Sequence, residues 1–126
     1  MNRHNQAVTL LALATRDIKA ARILANADEP QFEAAGFHLQ QAAEKALKAW
    51  LARYKKAYPR THDLRLLLGL LEDIEQPIDP FWDLLELNPF AVQFRYELPG
   101  EDYPEIDQTL QKVAKLVKHV QSLVEG

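Results

Sequence analysis

Apolar residues recur along this chain at spacings of three and four and nowhere alternate as a strand requires, so the pattern is helical throughout. Leu11, Ala14, Ile18, Ala21 and Ala25 predict a first helix over residues 6 to about 27. Asp28 then offers a cap whose carboxylate reaches the amide near Gln31, and Pro30 falls in the first turn, where no amide hydrogen is required. This second helix is long. Its inward stripe reads Ala35, Leu39, Ala42, Ala46, Leu47, Trp50 and Tyr54, with Gly36 and the alanines letting another helix approach closely. Gln41, Glu44, Lys45 and Lys48 occupy the opposite face, where Glu44 and Lys48 form an i, i+4 pair worth about 0.3 to 0.5 kcal/mol. Tyr58-Pro59 ends the element, because the residue before a proline is pushed out of helical geometry.

Thr61 or Asp63 starts a third helix whose Leu64, Leu67, Leu68, Leu71 and Ile74 face inward, and Gln76-Pro77 ends it. Asp79-Pro80 is a second start signal, followed by Phe81, Leu84, Leu85 and Leu87. Asn88-Pro89 is expected to break or kink this fourth helix before Phe90 and Phe94. A loop over residues 97–103 contains Pro99-Gly100. The last helix, residues 104 to about 124, carries Ile106, Leu110, Val113, Val117, Val120 and Val124, with Glu105 and Asp107 at its positive end and Lys112, Lys115 and Lys118 toward its negative end. Five such helices bury their stripes only against each other, which predicts an all-α, up-and-down antiparallel bundle with its fourth helix kinked or broken.

Length and composition narrow the reading. At 126 residues, with 48% hydrophobic and 26% charged positions, residues 1–126 form one domain that needs neither metal nor disulfide to fold. The absence of cysteine excludes thiol catalysis, a thiolate zinc site and a disulfide scaffold. The start is polar and its apolar run over residues 8–14 is too short to span a bilayer, so no membrane association and a cytoplasmic location are expected.

Net charge is −3, but the charges are segregated. Residues 45–65 carry seven cations (Lys45, Lys48, Arg53, Lys55, Lys56, Arg60 and Arg65) against Asp63, whereas residues 72–107 carry eleven carboxylates against Arg95. This suggests a basic surface for a phosphate or an acidic partner; two solvated helix faces explain it equally.

His38-Leu39-Gln40-Gln41-Ala42-Ala43-Glu44-Lys45-Ala46-Leu47-Lys48-Ala49, then Thr61-His62-Asp63-Leu64, then Phe94-Arg95-Tyr96, resemble the HEPN domain (higher eukaryotes and prokaryotes nucleotide-binding) in order and spacing across nearly the whole chain. The resemblance implies a helical bundle that dimerises and works beside a minimal nucleotidyltransferase. Several such domains are metal-independent ribonucleases acting as toxins against which the partner is the antitoxin; others bind nucleotides or scaffold the partner. The ribonucleases carry an arginine, four to six intervening residues, and then a histidine. The arginine stabilises charge developing on the phosphate, and the histidine moves the proton of the attacking 2′-hydroxyl.

None of Arg3, Arg16, Arg22, Arg53, Arg60, Arg65 and Arg95 has a histidine at that distance; Arg95 meets Gly100, Glu101 and Asp102 there. No catalytic residue is therefore assigned. In nuclease-type relatives a tyrosine near the motif accepts adenylate from the partner, which draws attention to Tyr96 and Tyr103, although such rings also simply pack on a bundle with the hydroxyl wet.

Candidate ligand-binding residues are His38, Gln41, Lys45, Lys48, His62, Arg95 and Tyr96. His38 either donates to a phosphate or satisfies a neighbour across the bundle. His62 either approaches an anion at the start of the third helix or covers amides there. A phosphate can bridge Lys45 and Lys48, which otherwise are solvated lysines. The fork of Arg95 suits a nucleotide phosphate or a carboxylate alike. No glycine-rich phosphate loop is present, and Glu72, Asp73 and Glu75 read as a solvated face, so no cofactor and no metal site are expected.

Phe81, Trp82, Phe90, Phe94 and Tyr96 crowd one short segment, and an aromatic patch left over there would be an interface between two copies. The expected function is a non-catalytic, homodimeric binding module that partners a minimal nucleotidyltransferase and holds a nucleotide near His38, Lys45 and Arg95. The alternatives are a ribonuclease toxin using Arg95 with His38 or His62, and a structural dimer without ligand. Contact of the basic face with RNA is left open, and at this net charge such binding is weak and strongly salt-dependent.

Overall fold

The computed structural model describes residues 2–91 and 105–126. It consists of α1 (Arg3–Ala25), α2 (Phe32–Arg53), α3 (Leu64–Asp73), a 3-10 segment (Asp79–Ala91) and α4 (Ile106–Glu125), with no strand among the described residues. The all-α bundle expected from periodicity is therefore observed. The helix α1 runs antiparallel to both α2 and α4. The latter two point the same way, with Trp50 beside His119 and Arg53 beside Leu123.

Local chemistry sets the boundaries. Asn2 caps α1 by accepting from the Asn5 amide at 2.7 Å, so the helix starts before residue 6. Asp28 does not cap α2. The Gln31 amide that it was expected to meet instead donates to Leu24 O at 3.0 Å, closing the end of α1, and α2 begins only at Phe32. The far end of α2 also comes early. Lys55, in the left-handed region at φ 58°, turns the chain there; its amide donates to Ala52 O at 3.0 Å and that of Lys56 to Leu51 O at 2.9 Å. Tyr54 is consequently exposed rather than buried.

The core forms around α2, which packs against α1, α3, α4 and the 3-10 segment. Ala35, Leu39, Ala42, Ala43, Ala46, Leu47, Ala49, Trp50, Leu51 and Ala52 are all buried, so most of the circumference of α2 is covered, and His38, Gln41, Lys45 and Lys48 mark its half-buried polar stripe. Ala7, Ala14 and Ala21 of α1 meet it with equally small side chains. In α4 the buried set is Ile106, Val113, Leu116, Val117, Val120 and Val124, with Leu110 at the edge.

The fourth element winds as a 3-10 helix for its whole length and continues past Pro89 to Ala91, rather than forming an α-helix broken there. Phe81 and Phe90 are buried in the chain's own core and Trp82 packs against it. Phe81 and Phe90 are thus not available as the expected interface patch, while Trp82 is partly exposed; Phe94, Tyr96 and the loop over residues 97–103 lie outside the described residues.

Gly36 provides the close approach read from the sequence. A Cβ there would stand 2.5 Å from Phe90 Cδ1, inside the buried ring, whereas a Cβ at Gly69 meets nothing within 4 Å. Gly36→Ala is expected to destabilise: overpacking costs about 1–3 kcal/mol, against up to about 1 kcal/mol gained in helix propensity. Gly69→Ala keeps only the gain and is expected to stabilise by up to about 1 kcal/mol. Denaturant midpoints of the two variants should move in opposite directions.

Candidate functional site

A buried polar seam lies along α2. Asp17, on the inward side of α1, takes the His38 ring through Nδ1 at 2.9 Å and accepts from Lys45 Nζ at 2.6 Å. One turn on, Glu44 accepts from Lys48 Nζ at 3.0 Å and meets His62 Nδ1 at 2.8 Å. Gln40 joins the second group, donating to Glu44 Oε1 at 3.3 Å and to His62 O at 2.9 Å, while accepting from Gln41 Nε2 at 2.8 Å. Each buried carboxylate is therefore held by one lysine and one histidine.

Five of the seven candidate residues, His38, Gln41, Lys45, Lys48 and His62, come together in this seam. Arg95 and Tyr96 lie outside the described residues. The face carrying Glu44 is not the solvated one read from the sequence. Glu44 is 4% exposed and Gln40 fully buried, because α3 and the connection before it cover that side. Lys45 and Lys48 are accordingly bound to internal carboxylates, not directed at solvent. The pairing of Glu44 with Lys48 is as expected, but in a setting where removing one partner costs more than it does at an exposed pair.

The start of α3 is also closed by side chains. Asn88 Oδ1 accepts from the Leu64 amide at 3.0 Å, and Asp63 Oδ1 accepts from the Arg65 amide at 2.9 Å and from Asn88 Nδ2 at 3.0 Å. These amides are taken, and His62 turns to Glu44 instead. Its side chain is still 65% exposed, against 30% for His38 and 24% for Lys45, so His62 is the most solvent-accessible group of the seam. It borders a shallow depression of about 430 Å³ shared with Thr61, Asp63, Asn88 and Ala91.

Asp17, Gln40 and Asn88 were not singled out from the sequence. Asp17 had a legible signal: it stands three residues after Ala14 and four before Ala21, on the buried stripe of α1. Among the described residues no group of three or more acidic or histidine side chains is arranged to hold a metal ion, and no helix is long and apolar enough to cross a membrane.

Beside Lys48, whose Nζ lies 5.8 Å from its ring centre, Tyr58 receives a hydrogen bond from Gln6 Nε2 at 2.7 Å. Burial raises the Tyr58 phenol above its ordinary value of 10.0, and the Arg3 guanidinium partly opposes the rise.

Comparison with known families gives one match, to the model of the HEPN domain over residues 7–125. No curated protein and no solved structure matches the chain.

Glu44→Gln is expected to destabilise by about 3 kcal/mol, since it leaves the nearly buried Lys48 ammonium without its counter-charge. Lys45→Met is expected to cost less, because Asp17 keeps His38; chemical denaturation compares the two. For Tyr58 the neutral phenol is the form that the fold prefers. Its contribution is complete below the unfolded value near 10.0 and is lost as pH rises through the higher folded value. Tyr58→Phe is therefore expected to lose less stability than the parent chain on alkaline titration followed by circular dichroism.

Proposed function

This chain belongs to the HEPN domain family, and on that premise we propose that it is a non-catalytic binding module. In this reading it acts as a homodimer and partners a minimal nucleotidyltransferase, and a nucleotide held near His38, Lys45 and Arg95 has its phosphate answered chiefly by Arg95, because Lys45 is already held by Asp17. The observation that carries the reading is the spacing of its arginines: none of the seven is followed, after four to six intervening residues, by a histidine, the arrangement that ribonucleases of this family use. The engagement of Lys45 by Asp17 and of Lys48 by Glu44 agrees with it, because cations already paired are poor stabilisers of charge building on a phosphodiester.

HEPN domains often dimerise. With Phe81 and Phe90 buried within the chain, the exposed large apolar side chains among the described residues are Val8, Ile23, Phe32, Tyr54 and Leu66, which lie on separate elements or far apart on one.

One observation favours a second reading, a metal-independent ribonuclease toxin with an altered catalytic set. Glu44 holds His62 through Nδ1 and leaves the rest of an exposed imidazole toward solvent, the arrangement of a proton-transfer group oriented by a carboxylate. Arg95 would then stabilise the phosphate.

Incubation of the purified chain with labelled RNA and a chelator separates the two. The binding-module reading expects no turnover; cleavage abolished by both Arg95→Ala and His62→Ala would replace it with the ribonuclease reading. Light scattering is expected to give twice the 14.4 kDa chain mass, and a monomer would remove the dimer. A short nucleotidyltransferase gene beside this one, and stable co-purification of its product with the chain, are the expected signs of the partner.

A further inference from the structure

The 3-10 segment is fastened differently on the two sides of Leu87. Phe81, Leu84, Leu87 and Phe90 are its buried residues, one every three positions, so all four share a face only while the winding keeps three residues to the turn. Up to Leu87 the segment is held on α4. Glu86 accepts from Thr109 Oγ1 at 3.0 Å, and Lys112 Nζ stands 3.8 Å from Asp83 Oδ2 and from Glu86 Oε1. Pro89 then interrupts it. That residue has no amide hydrogen to give to the Glu86 carbonyl three positions back, so the ladder loses a rung between Leu87 and Phe90.

Beyond the interruption the chain turns to α2 and α3 instead. Asn88 closes the start of α3 through the Leu64 amide and the Asp63 carboxylate. Phe90 fills the space over Gly36, where a Cβ would come within 2.5 Å of its ring. Ala91 shares with Asn88 the wall of the depression beside His62. On α2 the residues Gly36, Gln40 and Glu44 follow one another at intervals of four and so lie along one face. The Phe90 ring therefore closes the end of the row that the second half of the seam occupies, while Asn88 and Ala91 border its histidine. The Asp17 group is held between α1 and α2 instead.

We infer that residues 88–91 are a strap, hinged at Leu87, whose release uncovers Glu44 and His62 together and leaves Asp17 closed. Opening parts the two Asn88 bonds and unseats the Phe90 ring, whereas Leu87 stays in the core and Glu86 stays on α4, so the rest of the bundle keeps its contacts. A ligand that reaches the Glu44 carboxylate has to displace the strap first. The strap is a property of the packing and does not rest on the function proposed for the seam.

Hydrogen exchange of the full chain, read by mass spectrometry, tests the inference. Peptides covering residues 62–66 and 86–91 are expected to exchange through a common opening that is more frequent than that of α2. Asn88→Ala is expected to raise this opening about tenfold, and Gly36→Ala, which fills the seat from the α2 side, to raise it as well. Ala14→Gly, which weakens α1, is expected to leave it as in the parent chain. Carbodiimide coupling of a primary amine to the carboxyl groups reads access directly. In Asn88→Ala the labelling of Glu44 is expected to rise about tenfold with the opening, and that of Asp17 to stay unchanged. Exchange of residues 62–66 and 86–91 only through the opening that also exposes α2 overturns the strap. Labelling of Glu44 that stays at the parent rate in Asn88→Ala overturns it too, as does labelling that rises equally at Asp17, which marks loosening of the whole bundle.

Discussion

The central helix α2 keeps only a narrow, half-buried stripe toward solvent, through Phe37, His38, Gln41, Lys45 and Lys48, and some of its polar residues fall outside that stripe. Its Gln40 and Glu44 are buried, and Asp17 of α1 is buried against it. A carboxylate withdrawn from water costs several kcal/mol unless charge and hydrogen bonds replace the lost hydration. The fold supplies that replacement from neighbouring turns: Lys45 and His38 to Asp17, Lys48, His62 and Gln40 to Glu44. The seam thereby ties α1 to α2 and α2 to the connection preceding α3. Because these contacts are directional, they fix a register that the many small alanines of the α1–α2 contact would define only weakly.

The period of the apolar residues made the helices legible, since a stripe at spacings of three and four has only one way to be buried. Cap signals were less reliable. Asp28 and Pro30 have the right residue types for a helix start, but the competing acceptor at Leu24 lies on another helix, and no local pattern reveals it. Glu44 shows the same limit. Counting residues around α2 assigns a core side and a polar side only if one side faces water, and α3 removes that condition. The 3-10 winding of Asp79–Ala91 was likewise hidden, because Asp79-Pro80 starts either kind of helix and the close seat of Phe90 against Gly36 is a tertiary matter. Of the candidate site, the residues of α2 and His62 were found by motif, while the carboxylate of Asp17 that anchors one half was not.

The segregation of charge along the sequence also takes on a different meaning in three dimensions. The seven cations of residues 45–65 are not one basic surface. Lys45 and Lys48 are turned inward and neutralised, whereas Arg53 and Lys55 reach the end of the bundle, where Arg3 joins them from the other terminus of the sequence. Antiparallel packing is what creates this second cluster. Neither stretch alone contains it.

The same carboxylate contacts that make His62 look like a proton-transfer group are demanded by the fold alone, so the dyad of Glu44 and His62 does not by itself imply chemistry. Cleaving a phosphodiester also requires a cation free to answer the developing charge, and the cation nearest that dyad, Lys48, answers Glu44. Arg3, Arg53 and Lys55, at the end of the bundle, are in no ion pair among the described residues, although Arg53 donates to Leu123 O. The paired lysines of the α2 seam and the cations at the end of the bundle are in this way two separate groups. A change that strengthens the first group should leave the second untouched, because their electrostatic partners are not shared.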